Sequence, residues 1–129
     1  MHDFKTQPEL SNSQMELYYW ESPHRQIRDD FEAKVIRVID GDTVRVKWAE
    51  RDFDFPIRMS FIAAPELKES GGIQSKSWLE QQILGEEVLI KINPHKRMGK
   101  FGRILGDIIF LGMSINQLSM DMGKSVRFQ

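Results

Sequence analysis

The stretch Val38-Ile39-Asp40-Gly41-Asp42-Thr43-Val44 joins two segments rich in β-branched residues and decides how the chain folds. Residues 33–39 before the turn partly alternate between apolar and polar side chains, and residues 43–48 after it alternate cleanly. An Asp-Gly pair between two such segments indicates a hairpin, because glycine tolerates the positive φ of tight turns. We therefore predict an antiparallel strand pair with Asp40 and Asp42 at its turn.

The periodic pattern continues beyond this hairpin. Three further strands are predicted at residues 55–61, 87–92 and 104–110. Two helices are predicted at residues 73–84 and 114–122. Ser114 can cap the second helix, and Gly85 and Gly123 follow the two helices, where glycine commonly ends a helix. Five short strands with one helix after the third indicate a small closed or partly open barrel.

Residues 1–30 differ from the rest of the chain. They show little periodicity, and Pro8 and Pro23 interrupt them. We predict an N-terminal extension over residues 1–30, partly disordered, followed by one domain over residues 31–129. Within the extension, residues 16–20 (Glu-Leu-Tyr-Tyr-Trp) predict either a short strand or an aromatic patch that docks on the domain.

The charge is distributed unevenly although the net charge is only −1. Residues 1–30 hold six acidic and three basic residues, whereas residues 31–129 hold fifteen basic and thirteen acidic residues. The near-neutral total argues against a protein that coats nucleic acid nonspecifically. The densest basic run is His95-Lys96-Arg97, followed by Lys100 and Arg103. This run is either a solvated loop or a cluster that steers phosphate groups to a site, and we take Lys96 and Lys100 as candidate substrate-binding residues.

Cysteine content and hydropathy limit the remaining classes. The chain has no cysteine, which excludes disulfides and thiolate metal sites. It has no run of about 18 apolar residues, so no membrane span is predicted. Its first residues lack the apolar middle of a signal peptide, and we therefore expect a cytoplasmic protein while leaving secretion open. We also expect a monomer.

Four short motifs follow one another in the order acid, arginine, acid, arginine. They are Asp40-Gly41-Asp42-Thr43, Ile57-Arg58-Met59, Ala64-Pro65-Glu66 and Phe101-Gly102-Arg103. This set suits phosphodiester hydrolysis, since carboxylates bind a hard cation and forked guanidiniums bind phosphate. Each motif also has a structural alternative: the aspartates can cap a tight turn, Arg58 can pair with Glu66, and Arg103 can be an ordinary loop cation.

In this order and context the motifs resemble the staphylococcal nuclease-like (thermonuclease) domain family over about residues 31–128. Asn116 and Gly123 also match the family pattern in the last helix and after it. The resemblance implies a mainly β, α+β domain, an OB-fold with a five-stranded barrel and two helices. It further implies hydrolysis of single-stranded DNA or RNA that depends on Ca²⁺, with another divalent ion as an alternative.

The resemblance assigns roles residue by residue. It implies that Asp42 and the backbone carbonyl of Ala64 are metal ligands. It implies that Arg58 and Arg103 bind phosphate and that Glu66 orients or deprotonates the attacking water.

Three other residues have subsidiary roles in this scheme. Asp40 and Thr43 are expected to orient the ligands or to form the turn, and for Asp40 we favour the turn. Phe101 stands where the family often has tyrosine. It can stack on a base or pack on the barrel, and packing is the favoured interpretation.

One position departs from the family pattern. The family has an acid before the Pro-Glu pair, where this chain has Ala63. Loss of a ligand there should cost at least about 10- to 100-fold in metal affinity or activity. Three explanations stay open: a relative that binds without cutting, an engineered alanine, or a weaker site completed by Glu66 and water. The retained Asp42, Arg58, Glu66 and Arg103 favour an impaired nuclease over the alternative of a noncatalytic OB-fold module that binds nucleic acid or protein.

Overall fold

The computed structural model describes residues 1–128 and contains both strands and helices. The strands are β1 (Phe31–Asp40), β2 (Thr43–Lys47), β3 (Phe55–Met59), β4 (Ile62–Ala63), β5 (Glu87–Lys91), β6 (Ile104–Phe110), β7 (Met113–Ser114) and β8 (Val126–Arg127). The α-helices are α1 (Asn12–Tyr18), α2 (Gly72–Ile83) and α3 (Ile115–Asp121). Short 3₁₀ turns cover Tyr19–Glu21 and Lys100–Gly102.

Five strands form a closed barrel in the order β3-β2-β1-β5-β6, and parallel pairing of β3 with β6 closes it. The other pairs along this order are antiparallel. β7 extends the sheet beside β6, while β4 and β8 form a separate small pair. The prediction of an α+β, OB-like five-stranded barrel is confirmed. The structure adds a third helix, α1, to the two that the sequence predicts.

The barrel interior follows from the alternation of apolar side chains. Val44 and Val46 of β2 are fully buried, as are Leu79 and Ile83, through which α2 packs on the barrel. Burial of each of these leucine and isoleucine side chains stabilises the fold by about 1.5–3 kcal/mol. Helix α2 follows β4 and lies against β1. Its residue Ser75 also covers the turn between β1 and β2.

Gly41 is required in that turn for space rather than for its φ angle. The expectation of a positive φ is wrong, because Gly41 is not among the glycines with left-handed backbone. A Cβ at Gly41 would collide with Ser75 Oγ of α2 and would lie 2.7 Å from the Cβ of Ala64. The glycine therefore lets the turn approach both α2 and the Ala63-Ala64 segment.

The N-terminal residues lie against the barrel. Leu10 and Ile27 are fully buried, and Ser11 caps α1 with a capping box. The alternative of a strand over residues 16–20 is wrong, because this segment is helical. Of its aromatic side chains, Tyr18 and Tyr19 are half-buried and Trp20 is 92% exposed. The division at residue 30 and the partial disorder before it stay predictions, and Gln129 lies outside the described residues. Among residues 1–128, no helix has both the length and the apolar character needed to cross a bilayer.

Candidate active site

The turn between β1 and β2 brings two carboxylates together. The backbone N–H of Asp42 donates to Oδ1 of Asp40 at 3.1 Å, and Thr43 Oγ1 donates to Oδ1 of Asp42 at 3.1 Å. Asp42 and Thr43 are buried and Asp40 is half-buried. Asp40 therefore forms the turn, as favoured from the sequence, and Asp42 is held with a fixed orientation.

The environment of the turn changes the protonation of Asp40. Burial, and then the neighbouring Asp42, raise the pKa of Asp40 to about 6, although the N–H of Asp42 and the charge of Arg58 act in the opposite direction. A carboxylate close to another in a partly buried turn is harder to ionise, which is the case for Asp40. A cation beside them would relieve this repulsion.

Arg58 lies on β3, directly across from Thr43 in the β2–β3 register. Its Nη2 is 3.4 Å from Asp42 Oδ2, and its Nη1 donates to the carbonyl of Met59 at 2.6 Å. The alternative that Arg58 pairs with Glu66 is wrong: within residues 1–128 its ion-pair partner is Asp42. The sheet register therefore joins the first acidic motif to the first arginine.

The segment after β3 reaches the same carboxylate. The N–H of Ala64 donates to Oδ2 of Asp42 at 2.9 Å, which fixes the segment that contains Ala63 beside Asp42. The role of the Ala64 carbonyl as a metal ligand stays a prediction. Glu66 is exposed on the following loop, and its N–H donates to Glu69 Oε1 at 2.7 Å. No hydrogen bond or ion pair within residues 1–128 joins the Glu66 side chain to Asp42 or to either arginine.

A groove of about 730 Å³ begins at Arg58 and extends towards the loop between β5 and β6. Arg103 lines this groove, and its Nε is buried without a hydrogen-bond partner among residues 1–128. A buried donor without a partner carries a desolvation cost of about 1–3 kcal/mol. The second predicted arginine thus lines the same groove as the first.

Phe101 projects away from the barrel. Its side chain is 91% exposed, so the favoured interpretation that it packs on the barrel is wrong. The Arg103 guanidinium carbon lies 5.9 Å from the Phe101 ring centroid, which keeps the ring beside the groove. The backbone of Phe101 has a φ of 63° and that of Gly102 a φ of 70°, and this left-handed pair turns the ring outwards.

The basic run divides into two sets. Lys96 and Lys100 are exposed and line the groove, as a substrate-binding role requires. Arg97 is buried and its guanidinium donates to backbone carbonyls, so it does not belong to the phosphate-steering cluster. Arg97 is buried and Lys96 and Lys100 are exposed because Arg97 packs against the N-terminal residues. The sequence around these residues does not indicate this difference.

The sequence did not single out several groove residues. Phe61 and Phe128 supply aromatic surface, and Lys91 and Asp107, opposite each other in the β5–β6 register, supply one charge of each sign. Burial raises the pKa of Asp107, while Ser114 and Lys91 counteract this effect. The sequence could have indicated two of them, because the alternation in two predicted strands places Lys91 and Asp107 on the outward face.

The donors near Asp42 fit a hard cation only in part. Asp40, Asp42 and Thr43 offer oxygen atoms, which calcium and magnesium prefer. Residues 1–128 contain no group of three or more carboxylates, histidines or cysteines arranged to hold a metal. Two carboxylates with water and substrate oxygens suit a cation that keeps part of its hydration, as magnesium does. The alanine at position 63 is consistent with this small ligand set.

Comparison with known proteins finds relatives in Escherichia coli. The chain is 32% identical over 97 residues to a protein named "uncharacterized endonuclease" from Escherichia coli, covering 74% of this chain and 60% of the relative. It is 30% identical over 97 residues to a protein of the same name from Escherichia coli O157:H7, with the same coverage. No protein-family model matches the sequence. The chain thus spans about 60% of the length of these relatives.

Proposed function

We propose that this chain is a thermonuclease-like phosphodiesterase domain that acts on single-stranded DNA or RNA with a divalent cation, and that Ala63 impairs it. The relatives named endonuclease support nuclease activity in general. The closed barrel supports an OB-like scaffold, a fold that often binds single strands. The resemblance of the four motifs supports the specific type of nuclease.

One observation carries the proposal. Arg58 contacts Asp42 at 3.4 Å and also lines the groove, and Arg103 lines the same groove. Two guanidiniums therefore line one groove, and one of them contacts the carboxylate turn. A purely structural ion pair would not need the second arginine.

Each residue then has a defined task. Arg58 and Arg103 donate to phosphate oxygens and stabilise the charge that develops as water adds to phosphorus. Glu66 accepts the proton of that water, the bond from phosphorus to one sugar oxygen breaks, and the departing oxygen takes a proton from solvent. Lys96 and Lys100 attract the phosphate backbone of the nucleic acid, and Phe101 stacks on a base.

The remaining residues serve the cation. Asp42 would hold it directly, with Asp40, Thr43 and the carbonyl of Ala64 beside it. When bound, calcium or another divalent ion would supply Lewis-acid stabilisation and orient the water. Asp40 and Asp42 contribute by keeping the turn negative, and the N–H of Ala64 holds Asp42 in place.

Cleavage of labelled single-stranded DNA and RNA tests the proposal. The wild-type chain, Ala63→Asp and Ala63→Asn should be compared in calcium, magnesium, manganese and EDTA. We expect Ala63→Asp to raise metal-dependent cleavage at least about tenfold, because a charged ligand strengthens the cation site. Ala63→Asn is the matched control, since it has nearly the same size without the charge and should gain much less.

The outcomes separate the candidates clearly. Cleavage by Ala63→Asp that EDTA abolishes supports the nuclease assignment and the roles of Asp42, Arg58 and Arg103. If neither the wild type nor Ala63→Asp cuts with any cation, the nuclease proposal is wrong.

A second candidate is a noncatalytic OB-fold module that binds nucleic acid or protein. The exposed Phe101 and the groove lysines favour it, because stacking and cationic side chains suffice for binding single strands. Residues 1–128 also lack a cluster of three metal-ligating side chains. Binding that weakens with salt and does not change with EDTA, without cleavage by either variant, would identify this function.

A further inference from the structure

The buried arginine of the basic run connects the groove to the N-terminal residues. We call residues 93–103 the basic loop and residues 1–30 the N-terminal segment. Arg97, in the middle of the basic loop, has a side chain that is only 3% exposed. Its neighbour Lys96 is exposed and lines the groove. The two adjacent residues therefore point in different directions, one to the groove and one to the N-terminal segment.

Arg97 binds the N-terminal segment at several points. Its Nε donates to the carbonyl of Ile27 at 2.7 Å, and its Nη1 donates to the carbonyl of Leu10 at 2.8 Å and to Asn12 Oδ1 at 3.1 Å. Its Nη2 lies 3.3 Å from Glu9 Oε2. A guanidinium has five N–H donors, and here four of its contacts go to a single segment.

Glu9 also binds a second buried arginine. Arg51, which follows β2, has a fully buried side chain and contacts Glu9 Oε1. Its guanidinium carbon lies 4.5 Å from the Phe55 ring centroid. Burial lowers the pKa of Arg51 to about 10, and the charge of Arg97 adds to this effect. One carboxylate therefore compensates two buried cations, and removal of that carboxylate leaves both without a counter-ion.

Further hydrogen bonds connect the same partners. Asn12 Nδ2 donates to the carbonyl of Pro94 at 3.1 Å, and Asp30 Oδ1 accepts from the N–H of Ile92 at 2.8 Å. The Arg97 carbonyl in turn accepts from Leu105 N–H at 2.9 Å. The contacts made by the N-terminal segment thus reach the base of the loop that presents Arg103.

We infer that Glu9, Asn12 and Arg97 form a clamp by which the N-terminal segment positions the basic loop for nucleic acid, so that this segment sets the affinity of the groove. Arg97 and Glu9 are positioning residues, since they act through Lys96, Lys100 and Arg103. This inference rests on the proposed function for its ligand. The positioning of the loop itself does not depend on that proposal.

Hydrogen exchange of backbone amides measures the positioning directly. The N–H groups of Gly99 and Leu105 bond within the basic loop and its exit, to the carbonyls of Arg103 and Arg97. In Glu9→Gln we expect these two amides to exchange about tenfold faster, while amides in the β1–β2 pair change much less. A general loss of stability would accelerate both sets together.

A milder substitution keeps the inference testable if Glu9→Gln does not fold. Asn12 is exposed, so Asn12→Ala removes its hydrogen bonds to Arg97 and Pro94 without opening a cavity. We expect about threefold faster exchange at Gly99 and Leu105. Asn12→Asp keeps the acceptor for Arg97 but loses the donor to the Pro94 carbonyl, so its exchange rates should lie between those of the wild type and Asn12→Ala. Glu50→Gln is the control, because it breaks the exposed pair with Arg25 of the same segment, away from the loop.

Affinity for fluorescein-labelled oligothymidylate in EDTA completes the experiment. Glu9→Gln should bind about fivefold more weakly and Glu50→Gln should equal the wild type, since only the former alters the loop cations. Unchanged exchange at Gly99 and Leu105 in both Glu9→Gln and Asn12→Ala would overturn the inference, as would faster exchange with unchanged affinity. If the wild type does not bind at all, the proposed function fails, and the exchange data alone then decide whether the clamp positions the loop.

Discussion

The guanidinium of Arg58 lies 3.4 Å from the carboxylate of Asp42, both side chains are mostly buried, and Arg58 also lines the groove. Strand register produces this pair, because β3 places Arg58 opposite Thr43. The same carboxylate accepts a hydrogen bond from the N–H of Ala64, in the segment after β3. Asp42 is therefore the point at which three separate sequence motifs meet.

Arg58→Lys should reduce activity far more than stability. Lysine keeps the charge but cannot donate to two phosphate oxygens in a fixed plane. In the Ala63→Asp background we expect kcat to fall about 10²- to 10³-fold. Arg45→Lys is the matched control, since Arg45 pairs with Asp54 at the surface between β2 and β3 and should change kcat little. Equal rates for the two lysine variants would remove Arg58 from the proposed mechanism.

Phe101→Ala should weaken binding of single strands without changing the fold. The ring is 91% exposed, so its removal costs almost no burial. Loss of one stacked base corresponds to about 1–3 kcal/mol, or about 5- to 150-fold in affinity. Fluorescence anisotropy measures this loss, and thermal unfolding checks that Tm is unchanged. Leu111→Ala removes a similarly exposed side chain outside the groove, and binding reduced equally by both variants would contradict a stacking role.

Gly41→Ala should destabilise the domain. The added methyl group collides with Ser75 Oγ and comes within 2.7 Å of the Cβ of Ala64, so α2 or the turn must shift. We expect a loss of about 1–3 kcal/mol in the free energy of unfolding, measured with urea. Gly85→Ala is an informative comparison, because Gly85 has open space but a φ of 83°, so its cost arises from backbone strain. A neutral Gly41→Ala would show that the turn is not tightly packed.

Asp107→Asn should make stability less sensitive to pH. Burial raises the pKa of Asp107 in the folded state, so the folded protein holds this proton more tightly than the unfolded chain does. Ionisation therefore reduces stability as the pH rises from the ordinary aspartate pKa through the raised one. Because Asp107 is half-exposed, we expect a modest effect: the variant gains about 1–3 °C in Tm over the wild type at neutral pH, and this gain disappears below pH of about 4.

Thermal unfolding of both proteins across this pH range provides the measurement. Asparagine can keep the hydrogen bond with Ser114, whose Oγ lies 2.6 Å from Asp107 Oδ1. The comparison therefore isolates the charge from the hydrogen bond. A gain in Tm that is constant with pH would show that the pKa of Asp107 is not raised.

The barrel strands and two of the helices were predictable because their signals are local. The alternation in residues 43–48 and the apolar spacing in α2 each depend on neighbours a few positions away. Helix α1 was not predicted, because its sequence has a weak apolar pattern and no buried residue of its own. The strand pair β4–β8 was missed for a related reason, since each member has only two residues.

The candidate site shows the same division. The order of acids and arginines indicated which residue types would meet, and the structure places Arg58 at Asp42 and Arg103 in the adjoining groove. The outward orientation of Phe101 was not predictable, since it depends on a left-handed backbone at a position without glycine. The roles of Glu66 and of the Ala64 carbonyl stay predictions.

The sequence alone determined the strand and helix pattern and the kind of chemistry available, since hydrophobic period and residue type are carried by the chain itself. Only the tertiary structure decided which charges are buried. Lys96 and Arg97 are adjacent and similar in sequence, yet one lines the groove and the other meets Glu9, 88 positions away from Arg97. Burial depends on which distant segment packs on a side chain, and the local pattern of residues contains no record of that partner.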